Sequence, residues 1–130
     1  MAERIQQDIA ELEKSLTKAQ VNENTAEKAE AYYKLSEAYF FLEDFHRVIE
    51  YLKQYLSIAE EVGDRANAGQ AYGLLGYAYD SLGDSQRALE YLEKSLSIAE
   101  EVGDRTGAGL AYGNLGCAYQ SLGDSQRALE

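Results

Sequence analysis

The sequence repeats itself with a period of forty residues, and this feature most constrains the fold. The segment 71–105, AYGLLGYAYDSLGDSQRALEYLEKSLSIAEEVGDR, matches 31–65 when it is shifted back by forty residues and 111–130 when it is shifted forward. Periods of about 20 to 50 residues are typical of repeat proteins, in which each unit buries its apolar face against its neighbours. Because such chains usually bind other molecules, the repeat favours a binding function over catalysis.

The composition narrows the classes of partner and compartment. The chain has 23 acidic and 12 basic residues, a net charge of −11, so it repels the phosphates of nucleic acids and anionic membrane surfaces. We therefore expect no nucleic-acid or membrane partner. The single cysteine, Cys117, cannot form an internal disulfide, residues 1–15 do not resemble a signal peptide, and no stretch approaches the roughly 20 apolar residues that span a bilayer. These features predict a soluble, cytoplasmic protein.

Each unit contains two predicted helices. Apolar residues recur at steps of three and four, and the pair Gly83-Asp84 suits a turn because glycine tolerates the left-handed conformation and aspartate caps the next helix. The turn recurs at Gly123-Asp124, whereas Glu43-Asp44 lacks the glycine and is expected to turn less favourably. The predicted helices are 3–20, 26–42, 45–62, 66–82, 85–102 and 106–122, followed by a stub at 125–130.

The first predicted helix is half a unit. Ile9, Leu12 and Leu16 align with Ile49, Leu52 and Leu56, so this helix is in register with the second helix of a unit. We expect it to cap the array. The predicted organisation is an N-terminal capping half-repeat at 1–24, a degenerate unit at 25–65, a full unit at 66–105 and a unit truncated in its second helix at 106–130.

The recurring residues resemble a tetratricopeptide repeat. The pattern consists of Tyr72, Leu75-Gly76, Tyr79, Ala88, Leu92 and Leu96. Its phrases LGxAYxSLGD and IAxEVGDR are similar to the forty-residue repeats of Pins-like spindle-orientation adaptors and of large arrays, although the usual proline near the end of the second helix is missing. The resemblance implies an all-α, right-handed superhelical solenoid of antiparallel helix pairs. It also implies that the first helices line a concave groove that holds a peptide or a helical segment of a protein partner.

Differences between the units point to one face of the first helices. Only six of 25 positions differ between 66–90 and 106–130, and five of them are spaced as one helix face. Apolar side chains with scattered amides suit a peptide or an amphipathic helix. The candidate groove residues are Lys34, Glu37, Phe40, Arg65, Gln70, Leu74, Tyr77, Asp80, Arg105, Leu110, Asn114, Cys117 and Gln120.

The resemblance gives two kinds of candidate residue a role. It implies that Asn114 binds ligand backbone and that Arg65 and Arg105 contact ligand carboxylates. The alternative is that the face is ordinary surface and that the arginines pair with Asp64, Asp104 or neighbouring glutamates.

The sequence contains no catalytic or metal-binding pattern. His46 and Cys117 are nearly two periods apart, and neither lies near further ligands in the sequence. The glycine-rich segment 107–113 follows no strand and recurs as ordinary repeat sequence, which argues against a phosphate loop. Eight of the eleven tyrosines recur at packing positions. We therefore expect no enzymatic activity, metal or cofactor.

The last unit stops within its second helix. Helix 106–122 is therefore expected to expose the apolar face that Leu89, Tyr91 and Leu92 cover in the preceding unit. The sequence suits a fragment of a longer array or an engineered protein. It also suits a structural, self-assembling element, in which the N-terminal helix of another copy covers this face head to tail; fraying of helix 106–122 is the other outcome. The candidate self-association residues are Ile9, Leu12, Leu16, Leu115, Leu122 and Leu129.

Overall fold

The computed structural model describes the backbone of residues 2–129 and the side chains of residues 2–123. All regular structure within them is helical: α1 (Ala2–Val21), α2 (Thr25–Phe41), α3 (Phe45–Glu61), α4 (Arg65–Ser81), α5 (Ser85–Val102) and α6 (Arg105–Leu129). The chain divides into two compact units, which we call the first unit (Met1–Val62) and the second unit (Gly63–Glu130) and which do not coincide with the forty-residue repeats. Within each unit, consecutive helices pack against each other. The predicted all-helical repeat fold with six helices is confirmed.

The turns have the capping chemistry that the sequence predicts. The Asp84 carboxylate accepts a hydrogen bond from the Arg87 backbone N–H at 3.1 Å, which satisfies a free donor at the start of α5. The Asp84 N–H in turn donates to the Tyr79 carbonyl at 2.9 Å, the six-to-one bond that closes a helix end. Asn24, Asp44 and Asp64 cap α2, α3 and α4 through equivalent bonds. Asn24, Asp44 and Asp84 each end one helix through the backbone N–H and begin the next through the side chain.

Glycine occupies the left-handed position of these turns wherever the repeat supplies it. Gly63, Gly83 and Gly103 have φ values of 74°, 84° and 75°. Glu43 takes the same conformation at φ 58°, although a side chain there costs conformational energy. The expectation that the Glu43-Asp44 turn is less favourable is consistent with this geometry.

Three tyrosines form the same cluster, with one stacked and one tilted ring pair, in both α2–α3 and α4–α5. In the first unit Tyr51 of α3 lies against Tyr32 and Tyr39 of α2, with ring centroids 6.2 and 5.7 Å apart. In the second unit the equivalent cluster, Tyr91 with Tyr72 and Tyr79, has spacings of 5.9 and 5.2 Å. The fully buried leucines beside these clusters are Leu35, Leu52, Leu75 and Leu92. In these two helix pairs the recurring positions therefore form the core.

Glycines allow α4 to approach α5 closely. A Cβ atom added to Gly76 would lie 2.5 Å from Leu92 Cγ and 3.2 Å from the Ala88 carbonyl. One added to Gly69 would lie 2.8 Å from Ile98 Cγ2. The α4–α5 crossing at Gly76 is therefore close, and larger side chains at these two sites would force the helices apart.

The turn and stub predicted at Gly123-Asp124 and 125–130 are wrong. Helix α6 runs without interruption to Leu129, and Gly123 is not among the glycines with positive φ. At the earlier turns the residues after the capping pair form a separate helix that packs back on the preceding one, whereas in the described residues α6 continues through Gly123-Asp124. Continuing α6 gives each backbone N–H its usual partner. The side chains of residues 124–130, including the predicted association residue Leu129, lie outside the described residues.

Candidate functional site

Four of the six positions that differ between the second and third repeats share one face of α4 and of α6. We call these four positions the variable stripe: Gln70, Leu74, Tyr77 and Asp80 on α4, and Leu110, Asn114, Cys117 and Gln120 on α6. None of them is buried, whereas the positions shared with the other repeat include every buried residue of α4 and the buried Ala111 and Ala118 of α6. Sequence variation and core packing therefore occupy different faces of these two helices.

The two halves of the variable stripe lie on helices of the same compact unit. Helices α4 and α6 contact each other directly as well as through α5. Leu110 and Tyr77 are 66% and 44% exposed, while Leu74 and Asn114 are half-buried. The surface thus combines exposed apolar side chains with amide groups, which suits the alternating apolar and polar contacts of a bound peptide or helix.

The corresponding face of α2, in the first unit, is charged. Lys34 and Glu37 are exposed and Phe40 is half-buried. Lys34 Nζ lies 2.8 Å from Glu30 Oε1, and this hydrogen bond and ion pair lower the pKa of Glu30 and raise that of Lys34. The same two residues line an open depression of about 310 Å³ between α1 and α2. The amine of Lys34 is thus already engaged within its own helix.

The two candidate arginines lie on another face of their helices. Arg65 Nε donates to Glu101 Oε2 at 3.0 Å, so the partner of Arg65 is a glutamate, but one that is distant in the sequence. Sequence reasoning missed Glu101 specifically because it lies 36 positions away and on the far end of α5. Arg105 occupies the equivalent place at the start of α6 and is exposed. Neither arginine is part of the variable stripe.

The candidate self-association residues at the N-terminus already pack within their own unit. Ile9 is only 4% exposed, and Leu12 and Leu16 are half-buried, on a helix that contacts α2. Leu115 and Leu122 of α6 are also half-buried. In this conformation Ile9 does not present a free surface to a second copy.

A set of exposed tyrosines on α6 is absent from the candidate site residues. Tyr112 and Tyr119 are 60% and 55% exposed, whereas the equivalent Tyr72 and Tyr79 of α4, which contact Tyr91 of α5, are 9% and 6% exposed. The expected exposure of an apolar face on this helix is present. The repeat position alone predicts that both tyrosines are packed. The sequence identifies them as exposed only when each tyrosine is considered together with the second helix that would cover it.

The residues considered for chemistry lie apart in the fold. His46 is exposed on α3 of the first unit, and Cys117 is an exposed free thiol on α6 of the second. Among residues 2–123, histidine, cysteine and acidic side chains form no group of three or more that would hold a metal ion. Within the same part of the chain, every helix is too short or too polar to cross a membrane.

Comparison with known proteins gives a family and a fold. The family model described as "Tetratricopeptide repeat" matches residues 27–101 and 67–130. Among solved structures, BtubC (BKLC) from P. vanneervenii superposes with a TM-score of 0.84 at 23% sequence identity, over 96% of this chain and 52% of that chain. This chain therefore spans about half of BtubC, and the likeness concerns the fold. No curated protein sequence matches. The chain belongs to the tetratricopeptide repeat family.

Proposed function

We propose that this chain is a non-catalytic scaffold that binds a peptide or a helical segment of another protein through the variable stripe. The observation that carries the proposal is the separation of roles on α4 and α6. The positions that differ between these two helices are all outside the core, and apolar side chains among them face solvent. Tetratricopeptide repeats generally mediate protein–protein interactions, and the cytoplasm suits an exposed thiol at Cys117.

The chemistry of the stripe indicates how a ligand would bind. Leu110 and Tyr77 supply apolar area, and tyrosine is among the residues that contribute most to binding energy in interfaces. Asn114 and Gln120 supply amides that both donate to and accept from a ligand backbone. The acidic face of α2, with Glu37 and the Glu30–Lys34 pair, is proposed to act in the same way on more basic segments.

A displayed library of random peptides tests this function without a known partner. Peptides selected on the wild-type chain are measured by fluorescence anisotropy against a variant with Tyr77→Ser and Leu110→Gln. We expect the affinity to fall at least about 10-fold, since each change removes an exposed apolar contact. Leu74 is left unchanged because it is half-buried and its substitution would disturb packing.

The matched control is Val102→Gln, at a residue that is as exposed as Tyr77, at 44%, but lies at the end of α5. This variant is expected to bind the selected peptides with wild-type affinity. Equal losses in both variants, or wild-type binding by the stripe variant, would show that the stripe is ordinary surface.

A further inference from the structure

We propose a second binding surface: the uncovered face of α6 binds an amphipathic helix of the same type as α5, antiparallel to α6 and with its acidic end at Arg105. This α6 docking face comprises Arg105, Gly109, Tyr112, Gly116 and Tyr119, which follow one another at steps of four and three and so share one side of the helix. The proposal concerns a different face from the variable stripe and does not depend on the proposed function.

Helix α4 shows what fits such a face, because it carries the same five residue types in the same spacing. Every one of them contacts α5. Arg65 bonds Glu101, Gly69 lies against Ile98 and Gly76 lies against Leu92. The ring of Tyr91 is tilted against Tyr72 and stacked on Tyr79. The partner residues run from Glu101 through Ile98 to Leu92 as the α4 residues run from Arg65 through Gly69 to Gly76. The matching helix therefore runs antiparallel.

The α6 docking face lacks these contacts in the described part of the chain. Tyr112 and Tyr119 are mostly exposed, and a Cβ atom added to Gly109 or Gly116 would meet nothing within 4 Å. Arg105 is exposed at the end of the face, where its counterpart Arg65 is paired with an acid. An apolar face with a cation at one end thus selects a helix that is apolar on one side and acidic at its C-terminus.

A second copy of this chain does not supply that helix. In register with α5, α1 has Glu11 in place of Tyr91, Lys18 in place of Ile98 and Val21 in place of Glu101. Docking α1 would bury charges against the tyrosines and leave Arg105 without an acid. Helix α5 of another copy is already covered by its own unit, and copies with a net charge of −11 repel each other. The polar side of α1 instead suits a capping helix.

The test uses a labelled synthetic peptide with the sequence of residues 85–102, titrated with the 130-residue chain and followed by fluorescence anisotropy. We expect saturable binding that is lost in the variant with Tyr112→Lys and Tyr119→Lys, whose exposed sites tolerate the change. Gly116→Ala is the sharper variant. By analogy with Gly76, its methyl group would meet the docked leucine, so we expect it to weaken peptide binding at least about 5-fold while it raises the helix propensity of α6.

Charge exchange tests the orientation. Arg105→Glu is expected to weaken binding about 2- to 5-fold, as for an exposed ion pair, and a peptide with Glu101→Arg is expected to restore it. The stripe variant Tyr77→Ser should bind the peptide like the wild type. The proposal is overturned by an absence of saturable binding up to about 1 mM, by an unchanged affinity in Gly116→Ala, or by equal binding of a peptide with the α1 sequence. Self-association of the free chain that Tyr119→Lys disrupts would overturn it in favour of a second copy.

Discussion

At the scale of single residues, the left-handed turn position shows where the repeats are unequal. Glu43 and Glu23 hold φ values of 58° and 52°, which glycine adopts without steric cost at the later turns. The rest of the turn is unchanged, since Asp44 still caps α3 and its N–H still bonds the Tyr39 carbonyl. The first unit therefore carries local strain that the second unit lacks.

Replacing Glu43 with glycine should stabilise the protein by about 1 kcal/mol, because glycine relieves the steric cost of the left-handed conformation. The matched control is Glu43→Ala, which removes the same carboxylate but keeps a Cβ atom. Urea unfolding of the two variants measures the difference. If alanine stabilises as much as glycine, the effect comes from charge and not from the backbone.

Turns of this kind are predictable from sequence because their chemistry is local. The aspartate side chain accepts a hydrogen bond from the backbone N–H three residues ahead, and glycine relieves strain at its own position. The Arg65–Glu101 pair was not predictable to the same degree, because the glutamates near Arg65 in sequence are not those near it in space.

At the scale of helices, glycine has opposite effects in two equivalent places. Gly76 lies within the α4–α5 contact, where a Cβ atom would sit 2.5 Å from Leu92 Cγ. Gly116 occupies the same repeat position on α6, where an added Cβ would meet nothing within 4 Å. The same residue type is therefore required for packing in one helix and only lowers helix propensity in the other.

We expect Gly76→Ala to destabilise the chain by about 1–3 kcal/mol through overpacking, despite its better helix propensity. Gly116→Ala should stabilise it by about 0.5–1 kcal/mol. Thermal unfolding followed by circular dichroism compares the two. A loss of stability in Gly116→Ala would mean that the α6 docking face is covered in solution.

The path of α6 illustrates what the local pattern leaves undecided. Gly123-Asp124 has the same letters as Gly83-Asp84, yet α6 continues through it. Whether a Gly-Asp pair turns depends on the packing of the helix that follows, which is a tertiary effect and not a property of the pair. Sequence comparison between repeats predicts the helices and the core because those contacts recur. It does not predict what happens where a recurring contact is missing.

At the scale of the whole molecule, the repeats combine a constant core with a surface that differs from unit to unit. Tyr72, Leu75 and Tyr79 are buried and identical in the next repeat, whereas Tyr77 and its counterpart Cys117 differ and are exposed. The sequence was sufficient to assign positions to these two groups. It does not contain the ligand, because partner choice depends on contacts with a molecule outside the chain.

The most direct test of this division exchanges the exposed stripe residues of α6 for those of α4. Three changes do this, Leu110→Gln, Cys117→Tyr and Gln120→Asp, and the half-buried Asn114 is kept. The variant is compared with the wild type for its free energy of unfolding in urea and for its affinity for the library-selected peptides. We predict a change in stability within about 0.5 kcal/mol per substitution, as for surface positions, together with at least a 10-fold change in affinity, roughly that of losing an interface hot spot. Unchanged peptide affinity, or unfolding of the second unit, would contradict the assignment of these positions to binding.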